Sequence, residues 1–115
     1  MTQVISRKRI EEITKKFEKS SILVVGDVGI DRYTYGNVRR ISPEAPVPIL
    51  EVQKEWLKLG LAANISHNLQ KMNIPSLLCG VIGSDRNASL MENLLEEENL
   101  SIWGLVRDKS RPTIY

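Results

Sequence analysis

Apolar residues recur at three- and four-residue spacing between Ser6 and Ser20, where Ile10, Ile13 and Phe17 alternate with Lys, Arg and Glu. That period predicts an amphipathic helix, with Ser6 as its N-cap and its stripe packed on the body of the fold. Ser21 to Gly26 is instead a continuous aliphatic and β-branched run closed by Gly26-Asp27, the pattern of a buried parallel strand. Tyr33 to Val38 and Val47 to Lys54 alternate more and read as exposed or edge strands. A second helix spans Leu61 to Met72, with Ala62, Ile65, Leu69 and Met72 on its apolar face and Asn73 and Pro75 as its stop. Ser76 to Ile82 is a second buried strand ending at Gly83-Ser84-Asp85. Ala88 to Glu98 is a third helix, apolar at Leu90, Leu94 and Leu95. Ile102 to Val106 reads as a third strand, and Thr113 onward as a further strand that the chain end interrupts. Buried strands alternating with helices imply an α/β fold with a parallel sheet and crossovers on its faces. The two edge-like strands stand outside that sheet as a small flap.

The flap contains the most distinctive string of the chain, Arg40-Ile41-Ser42-Pro43-Glu44-Ala45-Pro46-Val47-Pro48-Ile49-Leu50. Proline lacks an N–H and fixes φ, so three prolines in six residues exclude a helix interior or a central strand. The expectation is a stiff extended connector that lays an edge strand beside a shaped site.

The 115 residues suffice for one small domain, and no repeat, low-complexity tract or linker divides residues 1–115. With 42% hydrophobic and 26% charged residues the chain should fold, and a net charge of only +2 provides no footprint for nucleic acid. The single cysteine, Cys79, cannot form an internal disulfide and reads as a small buried hydrophobe. His67 is the only histidine, so no histidine-based metal cluster can form. The charged N-terminal region is unlike a signal peptide, and no segment is long and apolar enough to span a membrane. The default compartment is therefore the cytoplasm.

In open α/β sheets, ligands bind beyond the carboxyl ends of the strands, where Asp27 and Asp31 fall. A carboxylate there accepts hydrogen bonds from adjacent hydroxyls, as sugar recognition requires. Asp27 equally suits closure of a turn, whereas Asp31, further into the loop, is favoured as a ligand contact. Gly60-Leu61-Ala62-Ala63-Asn64 leads into the second helix; small residues allow close approach, and Asn64 both donates and accepts. Tight packing of Ala62 and Ala63 on the sheet explains the same residues without a ligand. Arg40 and its neighbour Arg39 suit a phosphate group or, more commonly, a solvated strand flank. His67 reads as a helix-surface or core histidine, and Trp56 and Trp103 as packing residues.

Val24-Val25-Gly26-Asp27-Val28, Asp31-Arg32-Tyr33, Tyr35-Gly36, the Arg40-to-Pro48 string, Ala62-Ala63-Asn64 and Asn68 together resemble the start of the ribokinase-like (PfkB) carbohydrate kinases. Within that family they are most similar to the heptose-7-phosphate kinase domain of ADP-heptose synthases. Val81-Ile82-Gly83-Ser84-Asp85 and Arg111-Pro112-Thr113 fall where the family has similar residues, so the resemblance runs from about Ser21 to Tyr115. It implies a three-layer α/β/α sandwich, here incomplete at its C-terminus, with a β-flap that closes over the sugar and pairs with a second subunit. It implies a bacterial kinase that phosphorylates the anomeric hydroxyl of D-glycero-D-manno-heptose 7-phosphate with ATP and Mg²⁺, toward the lipopolysaccharide core. Carried over by position, Asp31 and Asn64 would hold sugar hydroxyls, Gly60 would allow close approach, and residues of the Arg39-to-Pro48 flap, Arg40 among them, would help cover the sugar.

Four positions depart from the family pattern. Leu59-Gly60-Leu61 stands where a proline and a glycine pair are usual, which places a branched side chain where backbone should meet sugar. Gly29 replaces a larger apolar residue, and Ala88 a common glycine. Phosphoryl transfer further requires a base, donors for the γ-phosphate and a magnesium nucleotide site. The family places these in a Gly-Ala-Gly-Asp-like segment far downstream, and these 115 residues contain none. The expectation is the sugar-binding N-terminal part of a kinase, inactive alone. The alternative is a non-catalytic binding or dimerisation module, or one subunit of a split kinase completed by a complementary chain.

Overall fold

The hydrophobic pattern resolves into two separate sheets in a computed structural model that describes residues 3–115. The elements are α1 (Arg7–Thr14), a short 3₁₀ turn (Phe17–Lys19), β1 (Ile22–Val25), β2 (Val28–Ile41), β3 (Pro48–Leu61), α2 (Ala62–Lys71), β4 (Ser76–Ile82), α3 (Arg86–Glu97) and β5 (Leu105–Arg107). The first sheet is parallel with strand order β1-β4-β5, as alternating strands and helices require. The second is the antiparallel ribbon β2-β3, the flap expected outside the main sheet.

Helices α2 and α3 close one face of the parallel sheet. Val24, Leu78 and Ile82 from the strands meet Ala62, Ala63, Ala88, Met91 and Leu95 from the helices, and the base of the ribbon adds Val28, Ile30 and Leu59 to this core. Asparagines in left-handed conformation, Asn73 at φ 58° and Asn99 at φ 56°, follow α2 and α3 and let the chain turn back. The ion pair Arg107–Glu92 (2.7 Å) joins β5 to α3.

Several expectations need correction. Ser6 does cap α1, its hydroxyl accepting from the Arg9 N–H at 3.2 Å, but no residue of α1 is buried and its apolar stripe is not packed on the body. The strand from Ser21 to Gly26 is not buried on both sides: Leu23 is 61% and Val25 70% exposed. The helices cover only one face, so alternate residues of β1 face outward. The flap strands are longer than expected, 14 residues each, because polar and apolar residues alternate along a ribbon with solvent beside it. Pro43 and Pro46 lie in the bends of the ribbon tip, where the Ser42 N–H donates to the Val47 carbonyl at 2.8 Å, and Pro48 opens β3. The string therefore forms a closed turn rather than an extended connector. The strand expected from Thr113 is a single parallel bridge, Ile114 to Gly29, against the base of the ribbon rather than the main sheet.

Candidate functional site

The end of β1, the base of the ribbon and the start of α2 meet at one place, and the sequence there is glycine-rich for steric reasons. Asp31 lies within β2, opposite Lys58 on β3, not in a loop as expected from sequence. Its carboxylate rests on the bare Cα of Gly60. A β-carbon built on Gly60 would stand 2.6 Å from the nearer carboxylate oxygen and 2.9 Å from Cγ. Gly60 has no positive φ, so its role here is space, not conformation.

Leu61, next in the chain, has φ 55° and ψ −132° and occupies the N-cap position of α2. That region favours glycine, and a branched residue there stores strain. No side chain caps α2; the Ala62 N–H instead donates to the Asp27 carbonyl at 2.9 Å, which fixes the end of β1 to the start of the helix. Asp27 thus joins the assembly through its backbone, while its side chain is exposed. Ala62 and Ala63 are buried in the core, as their small size predicts.

Asn64, in the first turn of α2, is exposed and lines a cleft of about 430 Å³ between β3, α2 and α3. The apolar lining is Trp56, Leu57, Leu59 and Leu94; the polar lining is Lys58, Asn64, His67, Asn68 and Glu98. Spacing explains the helix contribution, since residues 64, 67 and 68 share one face. His67 Nε2 lies 3.1 Å from Glu98 Oε2, and the Gln70 side-chain amide donates to the Glu98 carbonyl, so α2 is tied to the residue that ends α3.

The structure therefore brings Asp31 against Gly60, Asp27 against Ala62, and Asn64 into a cleft shared with Lys58. Asp31 is not among the residues lining that cleft. Arg40 is not brought to this place. It lies near the ribbon tip, paired with Ile49, nine residues beyond Asp31 and so roughly 30 Å away at the strand rise.

Sequence reasoning named members of two groups without joining them. Lys54, Trp56 and Lys58 occupy alternate positions of β3 opposite Tyr35, Tyr33 and Asp31 on one ribbon face. A period-two match of cations to aromatics was the available signal. The second group is Asp85, which caps α3 by accepting from the Ala88 N–H at 2.8 Å and also accepts from the Thr113 N–H (2.9 Å) and hydroxyl (2.7 Å). The Gly83 N–H donates to the same hydroxyl at 2.9 Å. Bonds from Thr113, then from Ala88, hold the Asp85 carboxyl below its ordinary range. Gly83-Ser84-Asp85 and Arg111-Pro112-Thr113 thus form a lock between distant segments.

Comparisons with known proteins bear on the family and the fold. The profile of the pfkB family carbohydrate kinases matches residues 19–115. The bifunctional protein HldE of Helicobacter pylori is 48% identical over 92 residues, which is 80% of this chain and 20% of that protein. The bifunctional protein HldE of Citrifermentans bemidjiense is 39% identical over 109 residues, 95% of this chain and 22% of that protein. The chain spans about a fifth of the length of these curated relatives. Among solved structures, a nucleoside kinase of Methanocaldococcus jannaschii, an archaeal member of the ribokinase family, superposes with a TM-score of 0.58 at 21% identity, over 82% of this chain and 30% of that one. That likeness assigns the fold.

Proposed function

We propose, for a chain that belongs to the pfkB family of carbohydrate kinases, that residues 1–115 supply the sugar-binding part of an ATP-dependent kinase acting on D-glycero-D-manno-heptose 7-phosphate. The observation that carries this reading is the Asp31 carboxylate seated on Gly60, four residues before Asn64. A carboxylate accepts from two vicinal hydroxyls, an amide adds a donor and an acceptor, and glycine leaves the backbone open to approach. Identity of 48% to a bifunctional HldE protein supports a heptose over other sugars.

Phosphoryl transfer itself also asks for a base, donors for the γ-phosphate and a magnesium nucleotide site. Among the described residues no group of three His, Cys, Asp or Glu side chains is placed to hold a metal ion. The chain also has no glycine-rich phosphate loop. On this reading the 115 residues act by binding and orienting the sugar. Calorimetric titration with the heptose 7-phosphate tests this. Binding that Asp31→Asn and Asn64→Ala each weaken is expected, together with no ATP turnover. Turnover by the 115-residue chain, or binding indifferent to both variants, overturns the reading.

The ribbon favours a second role beside the first. Tyr35, Val38, Ile41, Val47, Leu50 and Val52 leave an apolar surface exposed along it, more than an isolated hairpin leaves to water without cost. Pairing of two flaps, in a homodimer or with a complementary chain, would cover it. Sedimentation equilibrium should show a dimer that Val38→Asp with Val52→Asp dissociates; a monomer at all concentrations removes the homodimer. No described helix is long and apolar enough to cross a membrane.

A further inference from the structure

We infer that the ribbon face carrying Asp31 selects a phosphorylated sugar over its free form, with Lys58 as the residue that reads the phosphate. This rests on the proposed sugar site and names a specificity determinant for it.

Directly opposed residues of an antiparallel pair share one face, so Asp31–Lys58, Tyr33–Trp56 and Tyr35–Lys54 form three successive rungs. On that face the Tyr33 and Trp56 rings stack, with centroids 5.4 Å apart and planes 8° from parallel. The Lys58 ammonium lies 5.2 Å from the Tyr33 ring centre, and the Lys54 ammonium 5.3 Å from that of Trp56. The result is a column that runs cation, ring, ring, cation, its first cation carried by the residue opposite Asp31.

Two details give the column a direction. Lys58 stands opposite Asp31, yet its ammonium leans over Tyr33 and makes no ion pair with that carboxylate. Among the described residues, all four ion pairs lie elsewhere and involve neither Lys54 nor Lys58. An unneutralised ammonium over an aromatic ring is partly pre-ordered by cation–π attraction and keeps its donors for a ligand. Asp31 repels any anion placed beside it. A ligand satisfying both must present hydroxyls at Asp31 and negative charge further along the ribbon. Two residues of strand separate Asp31 from Tyr33, about 7 Å, a span comparable to a pyranose ring with its exocyclic carbon. Lys58 is also among the residues that line the cleft containing Asn64. Lysine binds phosphate as a point charge and needs no bidentate geometry, so one such residue suffices for recognition.

The test is calorimetric titration of the 115-residue chain with three probes: the heptose 7-phosphate, the same heptose without phosphate, and ATP. The wild-type chain should bind the phosphorylated sugar about 10-fold or more tightly than the free one, the worth of one charge-assisted bond. Lys58→Met should bring that ratio to within about twofold, and Lys58→Arg should restore most of it. Asp31→Asn should weaken both sugars alike and leave the ratio intact, which separates the sugar reading from this one. If both sugars bind and Lys58→Met leaves the ratio unchanged, the phosphate is read elsewhere and the inference fails while the sugar site stands. A Lys58→Met loss confined to ATP assigns the ammonium to nucleotide and also overturns it. Absence of binding by either sugar overturns the inference together with the site on which it rests.

Discussion

Replacing Gly60 with alanine should abolish tight sugar binding while leaving the fold nearly as stable as before. The added methyl would sit 2.6 Å from Asp31 Oδ1 and 3.1 Å from Oδ2, whereas ordinary contacts begin near 3.4 Å. The carboxylate must therefore retreat by about 0.8 Å or rotate away, which exceeds the whole 2.7–3.2 Å window of a good hydrogen bond. The obstacle is the far end of an exposed side chain, so the backbone need not move. Alanine also costs less chain entropy in a strand than glycine, by roughly 0.5–1 kcal/mol. Stability should accordingly change by less than about 1 kcal/mol, a melting shift within about 8 °C. Hydrogen bonds to a charged acceptor contribute about 1.5–3 kcal/mol, so affinity for the heptose 7-phosphate should fall roughly 10- to 100-fold. Calorimetry and thermal melting on the same sample read both numbers. Unchanged affinity in a folded Gly60→Ala variant would falsify the idea that glycine positions the Asp31 carboxylate for the sugar.

Leu61→Gly should leave stability close to neutral. Release of about 1–3 kcal/mol of φ-positive strain is offset by glycine entropy and by loss of a side chain already 52% exposed. The same variant should bind the heptose phosphate several-fold more tightly in calorimetry if the branched side chain narrows the approach; equal or weaker binding shows that it does not. Gly83→Ala should destabilise by roughly 1–3 kcal/mol, because its methyl would meet the Arg111 carbonyl at 2.5 Å and the Thr113 nitrogen at 2.9 Å, both backbone. Melting should drop by several degrees, and an unchanged melting temperature would show that the two segments separate freely. The Asp85 carboxyl, held below its ordinary value of 3.8 by Thr113 and Ala88 donors, and Asp108, lowered by Ser110, contribute stability present above the unfolded pKa. That stability is lost as pH falls below about 4 toward the lowered folded pKa. Melting followed from pH 7 to pH 2 should therefore steepen its decline below pH 4 in the wild type and flatten in Asp85→Asn; parallel curves would remove Asp85 as a cause.

Periodicity located elements where neighbours in sequence decide them. Ser76 to Ile82 forms a strand with the expected bounds, and α2 and α3 end at Lys71 and Glu97, within a residue of the expected stops. The flap was legible as a departure from the main sheet, because prolines and alternation exclude a central strand. What pattern left out depends on partners distant in the chain. The stripe of α1 predicts packing, yet Ile10 and Ile13 find no surface among the described residues. The aliphatic run of β1 has the composition of a strand covered on both faces, and helices reach only one. Asp31 reads from sequence as a loop carboxylate; its place within β2 and its seat on Gly60 follow from the β2-β3 register, which pairing sets and no single segment encodes. The Asp85–Thr113 lock likewise joins residues 28 positions apart, each of which alone reads as a cap or a turn.

The most direct measurement is a two-dimensional ¹H–¹⁵N NMR titration of the chain with D-glycero-D-manno-heptose 7-phosphate. Convergence of Asp31, Gly60 and Asn64 on one sugar predicts saturable shifts of the Asp31, Gly60 and Leu61 amides and of the Asn64 side-chain NH₂, with the Arg40 region of the flap responding weakly or not at all. Shifts that leave these groups unmoved, or that gather around a different part of the molecule, contradict it.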